Sequence, residues 1–134
     1  MSIDNVLVIE DDSVSAVLLQ FLIEDVLNPR SVITKEDGEE AIRYLNESID
    51  HPEQFPQLIF LDLNMPNISG YEFMDLYEEK FSLLFPNTQL IVLTSSVREK
   101  DREISLKHAS VAGFFRKPLE EKQLQRIREE IENM

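Results

Sequence analysis

Five short apolar runs are spaced along the chain, and a segment of helical character follows each of them. The runs show little alternation of apolar and polar residues, which is typical of strands buried on both faces of a parallel sheet. They cover residues 5–9, 31–35, 58–61, 90–93 and 111–115. The helical segments lie at 13–28, 41–49, 71–84, 97–108 and 119–134. This alternation predicts one α/β domain with helices on both faces of a parallel sheet.

Apolar side chains recur at helical spacing in the first and third of these segments. Ser13 is expected to cap the first helix, and Asn28 and Pro29 to end it. The first apolar series comprises Val14, Val17, Leu18, Phe21, Leu22 and Val26, and the second comprises Tyr71, Met74, Tyr77, Phe81 and Leu84. We interpret the aromatic residues and the methionine of the second series as core rather than as contacts to a cofactor.

The composition fits a soluble globular domain. The chain has 134 residues, of which 43% are hydrophobic and 29% charged. It has no apolar run near the ~20 residues needed to span a bilayer, no pattern of a signal peptide, and no cysteine for a disulfide. A single domain over residues 1–134 in the cytoplasm is therefore expected. With no residues left for an output domain, it would act through contacts with other proteins.

The charge is strongly negative and unevenly distributed. The formal net charge is −13, which makes nucleic acid an unfavourable direct partner. Residues 1–97 carry 4 basic and 18 acidic side chains, whereas residues 98–134 carry 9 basic and 8 acidic ones. Solvated helix faces explain many such asymmetries, but a partner surface near the C-terminus would also produce this one.

Polar side chains stand where four of the predicted strands end. Glu10 and Asp11 follow the first strand, Asp62 the third, Thr94 the fourth and Lys117 the fifth. Because parallel strands end at the same edge of a sheet, these side chains should converge on one crevice. The neighbouring Asp12 is expected to give electrostatic support at most, or to favour the start of the first helix.

This set of residues suits phosphoryl transfer. Carboxylate oxygens such as those of Glu10, Asp11 and Asp62 are the ligands that Mg²⁺ prefers. With Mg²⁺ present, Asp62 can stay ionised and attack phosphorus to form an acyl phosphate. The ammonium of Lys117 would neutralise charge on the transferring group, and Thr94 would donate a hydrogen bond to one of its oxygens.

The same set resembles the receiver domain of two-component response regulators, in a stand-alone form, over nearly the whole chain. Four blocks carry the resemblance: residues 8–12 (VIEDD), 61–66 (LDLNMP) with Gly70, 93–95 (LTS) and 115–118 (FRKP). The resemblance implies a flavodoxin-like, doubly wound sheet of five strands in the order 2-1-3-4-5 with five helices. It also implies a cis peptide bond between Lys117 and Pro118.

The resemblance assigns roles to individual residues. Asp62 corresponds to the phosphoacceptor, and Glu10 and Asp11 to the acidic pair that holds Mg²⁺. The backbone carbonyl of Asn64 corresponds to a further metal ligand, and Asn64 and Ser96 would influence the lifetime of the acyl phosphate. The two switch residues correspond to Thr94 and Phe114, and the lysine that pairs with the phosphoryl group corresponds to Lys117. Phe114 lacks a hydroxyl, so its ring is expected to act by turning inward on phosphorylation.

The implied partners are a histidine kinase or a histidine phosphotransfer protein, and a downstream target. The target would bind the face formed by the fourth helix, fifth strand and fifth helix, where basic residues suit an acidic partner or a homodimer with crossed ion pairs. Those residues are Arg98, Lys100, Arg102, Lys107, Lys122, Arg126 and Arg128. Whether the domain is an interaction switch or a phosphorelay carrier is left open.

Three other functions fit part of the pattern. An Mg²⁺-dependent phosphohydrolase of the aspartyl-phosphate type would share the nucleophile Asp62, but it needs a carboxylate two residues later, where this chain has Asn64. A flavodoxin-like cofactor carrier needs a phosphate-binding loop after the first strand, where this chain has three acids. A receiver that has lost phosphorylation would lack some of the matched residues, all of which are present.

Overall fold

The computed structural model of this protein describes residues 2–95 and 98–134. Strand and helix alternate five times along them, as the apolar pattern predicts. The strands are β1 (Asn5–Ile9), β2 (Ser31–Lys35), β3 (Leu58–Asp62), β4 (Gln89–Thr94) and β5 (Val111–Arg116). The helices are α1 (Ser13–Leu27), α2 (Gly38–Ser48), α3 (Gly70–Lys80), α4 (Glu99–Leu106) and α5 (Glu121–Glu132), with a 3₁₀ turn at Pro52–Gln54. None of the helices in these two ranges is both long and apolar enough to cross a membrane.

The strands form one parallel sheet in the order β2-β1-β3-β4-β5. This flavodoxin-like topology confirms the predicted fold class and strand order. Ile9 is level with Leu61, and Asp62 is level with Leu93. The ends of β1, β3 and β4 therefore lie side by side, which places the polar residues at and after those ends along one edge.

Two separate hydrophobic cores cover the two faces of the sheet. Alternate residues of each central strand enter one or the other: Leu7 packs with side chains of α2 and α3, and Val8 packs with side chains of α1 and α5. All five residues of β1 and of β3 are buried, which is the physical reason for their uninterrupted apolar runs. The cores fix the sheet, and the sheet in turn fixes the residues at its edge.

The start of α1 and the orientation of its apolar residues differ from expectation. Asp12, not Ser13, is the N-cap, and its side chain accepts a hydrogen bond from the backbone N–H of Val14. The helix packs on the sheet through its two buried residues, Ala16 and Ile23, and through half-buried neighbours that include Leu22 and Val26. Four members of the predicted apolar series instead face solvent: Val14, Val17, Leu18 and Phe21. Because α1 is apolar on more than one side, its periodicity does not determine which side meets the sheet.

The third helix is shorter than its apolar series suggests. Met74, Tyr77 and Phe81 are buried in the core, which confirms the interpretation of this series as core. Helix α3 nevertheless ends at Lys80, and Phe81 stands as its C-cap. Leu84 therefore lies on the following turn and is 58% exposed. The predicted continuation of this helix to residue 84 is wrong.

Helix α4 buries few of its residues against the core. All eight of its residues are described, and Ser105 is the one that is buried. The predicted start of this helix at Val97 lies outside the described residues, as does Ser96. A polar contact joins α4 to α3, because the Tyr71 hydroxyl bonds to the carboxylate of Asp101. A second joins the turn after α4 to α3, where Nε2 of His108 lies 2.9 Å from Oδ1 of Asp75. Few buried apolar contacts are typical of an element that moves at low free-energy cost.

Candidate functional site

The crevice lies at the carboxyl edge of the sheet. Glu10 follows β1, Asp62 is the last residue of β3, and Lys117 follows β5. Glu10 and Asp62 are 5% and 7% exposed, so both carboxyl groups are largely removed from water. Burying two acids close together is costly unless a cation lies between them.

Lys117 supplies that positive charge. Its Nζ lies 3.0 Å from Oδ2 of Asp62 and also contacts Oε1 of Glu10. Burial opposes the charged form of Lys117, but its hydrogen bonds to Glu10 and Asp62 outweigh this effect and raise the pKa of its ammonium. One ammonium group thus bridges two acids that lie at the ends of different strands. The sequence predicts that these side chains converge, but not that Lys117 contacts both acids.

The environment of Glu10 disfavours its ionised form. Burial, together with the neighbouring Asp62, raises the pKa of Glu10 to about 7, although the bond to Lys117 acts in the opposite direction. A single ammonium therefore does not fully compensate the acids. The site has the electrostatic character of a pocket that would accept a further cation.

Three carboxylates lie close enough to share one metal ion. Oxygen atoms of Glu10, Asp11 and Asp62 all lie within 4.8 Å of one another, with Asp11 exposed at the mouth. This donor set fits Mg²⁺, which takes a few carboxylate oxygens and keeps several waters. The three acidic residues among the four candidate metal ligands are thus brought together.

The loop after β3 is held against the end of the strand. The backbone N–H of Asn64 donates to Oδ1 of Asp62 at 3.1 Å, so both oxygens of that carboxylate have a partner. The N–H of Gly70 donates to the carbonyl of Leu63 at 3.0 Å, and a Cβ at Gly70 would lie 2.7 Å from that same oxygen. Only glycine fits this close approach, which explains its place in the motif.

Thr94 ends β4 at the edge of the sheet where the crevice lies, and Phe114 lies within β5. Thr94 is the last residue of β4 and is 1% exposed, and its carbonyl accepts the N–H of Lys117 at 2.7 Å. Phe114 is 4% exposed and belongs to the core on the α2 and α3 side. The ring of Phe114 is therefore already buried in this structure, and the expected inward turn on phosphorylation would need a ring that faces outward. A phenyl ring has no hydroxyl that would favour a position in solvent.

The remaining predicted features are placed as follows. The peptide bond between Lys117 and Pro118 is cis, as the resemblance implies. Asp12 lies on the α1 side of the crevice, where Ser15 donates to its carboxylate, and that hydrogen bond lowers the pKa of Asp12. Its capping role agrees with the helix-start interpretation. Arg116, absent from the basic residues named for the partner face, is exposed and lines a groove between α4 and α5 together with Arg102 and Arg126.

Comparison with known proteins identifies the family. A family model described as the response regulator receiver domain matches residues 6–129. The chain belongs to this family. It therefore takes part in phosphorylation-based signalling of the two-component type, and receiver domains of this kind act as switches rather than as classical enzymes. This agrees with the family that the four sequence motifs indicate.

Individual relatives are distant in sequence but similar in fold. The crystal structure of a two-component response regulator from Cytophaga hutchinsonii is 28% identical, with a TM-score of 0.91 and 100% of both chains covered. A structure described as the Mn²⁺-bound form of response regulator Rcp1 is 25% identical, with a TM-score of 0.66, 98% of this chain and 93% of that chain covered. The probable methanogenesis regulatory protein FilR2 of Methanothrix harundinacea is 28% identical over 127 residues, which are 94% of this chain and 79% of that protein. The chain spans about half the length of two further curated relatives, 54% of the two-component response regulator ORR1 of rice and 46% of the transcriptional regulatory protein CpxR of Escherichia coli.

Proposed function

We propose that Asp62 accepts a phosphoryl group and that the domain signals by the resulting change in its surface. The observation that carries this proposal is the contact of a buried Asp62 carboxylate with Lys117, beside two further acids. A structural ion pair at a strand end would not need the additional carboxylates of Glu10 and Asp11. A phosphoryl-accepting carboxylate benefits from all of them, because together they can hold a cation next to the reacting oxygen.

The metal set follows from the same geometry. Glu10, Asp11 and Asp62 would hold Mg²⁺, and we assign the backbone carbonyl of Asn64 as a further ligand from the family resemblance. When bound, the ion supplies positive charge that offsets the negative charge of phosphoryl oxygens. The Rcp1 structure described as Mn²⁺-bound supports a divalent cation in this family.

The transfer step is a displacement at phosphorus. The donor is a phosphoimidazole, presented by a histidine kinase or a histidine phosphotransfer protein, whose other ring nitrogen carries a proton. An oxygen of Asp62 forms the new bond to phosphorus while the bond to the imidazole nitrogen breaks. That nitrogen keeps the electron pair, and a neutral imidazole leaves. Lys117 stabilises the charge on the phosphoryl oxygens, and Thr94 is proposed to donate a hydrogen bond to one of them.

The exposed face of α1 is the proposed docking surface for the donor protein. Val14, Leu18 and Phe21 are each more than 60% exposed, although burial of such side chains is worth about 1.5–3 kcal/mol each. Leu18 and Leu22 also line a groove of about 400 Å³ that continues to Glu10 and Lys117. An apolar surface that leads directly to the reacting groups is suited to a protein that presents its phosphoimidazole there.

The response would involve α4, β5 and α5. A phosphoryl group adds charge and strong acceptors beside Thr94 and Lys117, which end or follow the strands nearest α4. Because α4 is weakly anchored, a small rearrangement at Thr94 can shift it between two positions. The downstream target, or a second copy of the domain, is proposed to bind this face.

The experiment that tests the proposal follows intact mass during incubation with acetyl phosphate. We expect a gain of one phosphoryl group that requires Mg²⁺ and is removed by hydroxylamine, which cleaves acyl phosphates. Asp62→Asn should show no gain. A persistent adduct in this variant, or no adduct in the natural protein even with kinases supplied, would contradict the proposal. Continuous release of phosphate from acyl phosphates at high turnover would instead favour a phosphohydrolase, although Asn64 offers no acid or base for it.

A further inference from the structure

The side of α4 that faces the rest of the domain is mainly polar. Three of its residues are buried or half-buried, namely Asp101, Ile104 and Ser105, and the other five are exposed. These three lie at the spacing of one helix face, where a surface helix normally carries its apolar stripe. Ile104 is the one apolar side chain among them. Packing alone therefore contributes little to the position of α4.

Ser105 weakens that packing further. Its side chain is fully buried, and within residues 2–95 and 98–134 its hydroxyl oxygen has no hydrogen-bond partner. A buried hydroxyl that lacks a partner loses its hydration without compensation. Ser105 therefore stabilises the packed position of α4 less than an apolar residue of similar size would.

A hydrogen bond from α3 supplies an attachment that the packing lacks. The Tyr71 hydroxyl donates to the carboxylate of Asp101, and the Tyr71 ring packs against the core on the α2 and α3 side. Burial and the Asp101 carboxylate raise the pKa of Tyr71 to about 12, so the hydroxyl keeps its proton at ordinary pH. Hydrogen bonds to an ionised acceptor are stronger than those between neutral groups.

This hydrogen bond connects the start of α4 to the loop beside Asp62. Asp101 lies in the first turn of α4, at the end of the helix that follows β4. Tyr71 directly follows Gly70, whose N–H donates to the carbonyl of Leu63, the residue after Asp62. A short path of bonded groups therefore runs from the proposed phosphoacceptor to α4. The contact between His108 and Asp75 lies at the opposite end of the helix.

We infer that the hydrogen bond from Tyr71 to Asp101 holds α4 against α3, and that Tyr71 is a positioning residue that determines how often α4 leaves this position. The inference rests on the proposed function only for its link to phosphorylation. A helix with little buried apolar surface opens locally at low free-energy cost, so a single strong contact can control its population. Loss of the Tyr71 hydroxyl should therefore release α4 without unfolding the sheet.

The test measures amide hydrogen exchange by mass spectrometry on the unphosphorylated protein, in peptides that cover residues 99–106. Tyr71→Phe removes only the hydroxyl, and exchange in α4 should become about tenfold faster, which corresponds to about 1.4 kcal/mol. Exchange in β1 and β3 should not change. The matched control, Tyr44→Phe, removes the same group from a half-buried tyrosine of α2 that packs against the same core. It should leave α4 unchanged.

A second variant should shift exchange in the opposite direction. Ser105→Ala removes the buried hydroxyl that has no partner, so exchange in α4 should slow. Glu103→Ala is its control, because it gives a similar gain in helix propensity at an exposed position of the same helix. Exchange should slow more in Ser105→Ala than in Glu103→Ala.

Three results would overturn the inference. They are unchanged exchange of α4 in Tyr71→Phe, equal acceleration in Tyr44→Phe, and acceleration in Tyr71→Phe that extends equally to β1 and β3. The last result would mean that the hydroxyl supports the whole fold rather than the position of α4. Exchange in Ser105→Ala that is no slower than in Glu103→Ala would contradict the argument from weak packing.

The link to phosphorylation is tested separately. Acetyl phosphate and Mg²⁺ should accelerate exchange of α4 in the natural protein and add little in Tyr71→Phe, where the attachment is already lost. Equal further acceleration in both proteins would contradict the link. Intact mass should show the adduct in both, because Tyr71 is not part of the proposed transfer machinery. Failure of the adduct in the natural protein would contradict the proposed function, whereas the unphosphorylated comparison alone decides the role of Tyr71.

Discussion

The exposed face of α1 and the groove between α4 and α5 differ in charge, in apolar content and in how firmly they are anchored to the core. The α1 helix contains no lysine or arginine, and its solvent side presents Val14, Val17, Leu18 and Phe21. The groove presents three arginines around a small apolar floor. The two surfaces are also anchored differently, since α1 holds the core through Ile23 whereas α4 buries only Ser105 among its eight described residues.

Surfaces this different would allow one small domain to keep the proposed donor and the proposed target apart by chemistry. A donor that binds the apolar surface would gain nothing from the arginines, and an acidic target would be repelled by the carboxylates near α1. The firmly packed helix lies beside the groups proposed to react, where fixed geometry favours transfer. The weakly packed helix α4 lies on the proposed target surface, where its movement would change the binding of the target. The following changes separate these contributions.

The largest effect is expected from Lys117, which lies in the crevice and contacts both buried acids. Lys117→Met removes the ammonium that contacts Glu10 and Asp62, so the rate of adduct formation with acetyl phosphate should fall by about 100-fold or more. Intact-mass time courses measure this rate. The control Lys122→Met changes an exposed residue of α5 and should react normally. A rate within a few-fold of the natural protein would show that the ammonium has no part in transfer.

A change confined to α1 should affect only transfer from a protein donor. Leu18→Ser/Phe21→Ser removes two side chains that are 62% and 64% exposed, so stability should hardly change. Transfer from a phosphorylated histidine phosphotransfer protein should slow about tenfold, at the scale of one or two interface anchors. Reaction with acetyl phosphate should stay the same, because this small donor needs no docking surface.

The control for α1 lies at the opposite end of the fold. Leu83→Ser alters a side chain that is 92% exposed on the turn after α3, far from the crevice edge of the sheet. It should leave both reactions unchanged. If this variant slowed protein transfer as much as the α1 variant, general surface hydrophobicity rather than the α1 face would govern docking.

A smaller effect is expected from the polar contact that ties the end of α4 to α3. Although burial acts against protonation, the bond to Asp75, the charge of Glu78 and the carbonyl of Ile104 together raise the pKa of His108 above its usual value near 6.5. Because the folded-state pKa is the higher one, protonation stabilises the fold. This contribution is complete below about pH 6.5 and is lost as the pH rises through the raised value.

Urea unfolding at several pH values measures this contribution. Asp75 is 76% exposed, so the pair is worth at most about 1 kcal/mol. Asp75→Asn should reduce the extra stability below pH 6.5 and leave stability at pH 9 nearly unchanged. The control Asp50→Asn removes an exposed acid that does not contact His108. Equal pH dependence in the natural protein and in Asp75→Asn would exclude His108 as the tie between α3 and α4.

Much of the fold could be predicted from the sequence because buried parallel strands leave a strong signal. The apolar runs locate all five strands within one residue at each end, and the polar residues that follow them locate the crevice. Residues such as Asp62 and Lys117 could be identified because all strands of a parallel sheet end at the same edge, so polar residues that end or follow them lie together. Helix ends were less certain, as Asp12 and Lys80 illustrate, since several residues can satisfy the same terminal groups.

The sequence did not predict which helix faces are exposed to solvent. Periodicity indicates that Leu18 and Phe21 share a side of α1, but not that this side faces solvent while Ile23 meets the sheet. The grouping of Arg102, Arg116 and Arg126 depends on three elements meeting at one groove, which no local pattern encodes. The burial of Phe114 likewise follows from packing against the α2 and α3 core rather than from its place in a motif.

Locating the phosphoryl group within the chain would show whether Asp62 is the phosphoacceptor. The protein is treated with acetyl phosphate and Mg²⁺, reduced with borohydride, and mapped by peptide mass spectrometry. Reduction converts an aspartyl phosphate into homoserine, so we expect homoserine at position 62 and at no other aspartate. Homoserine at Asp11 or Asp12 instead, or unmodified aspartate at position 62 after a measurable gain in intact mass, would contradict the assignment of Asp62.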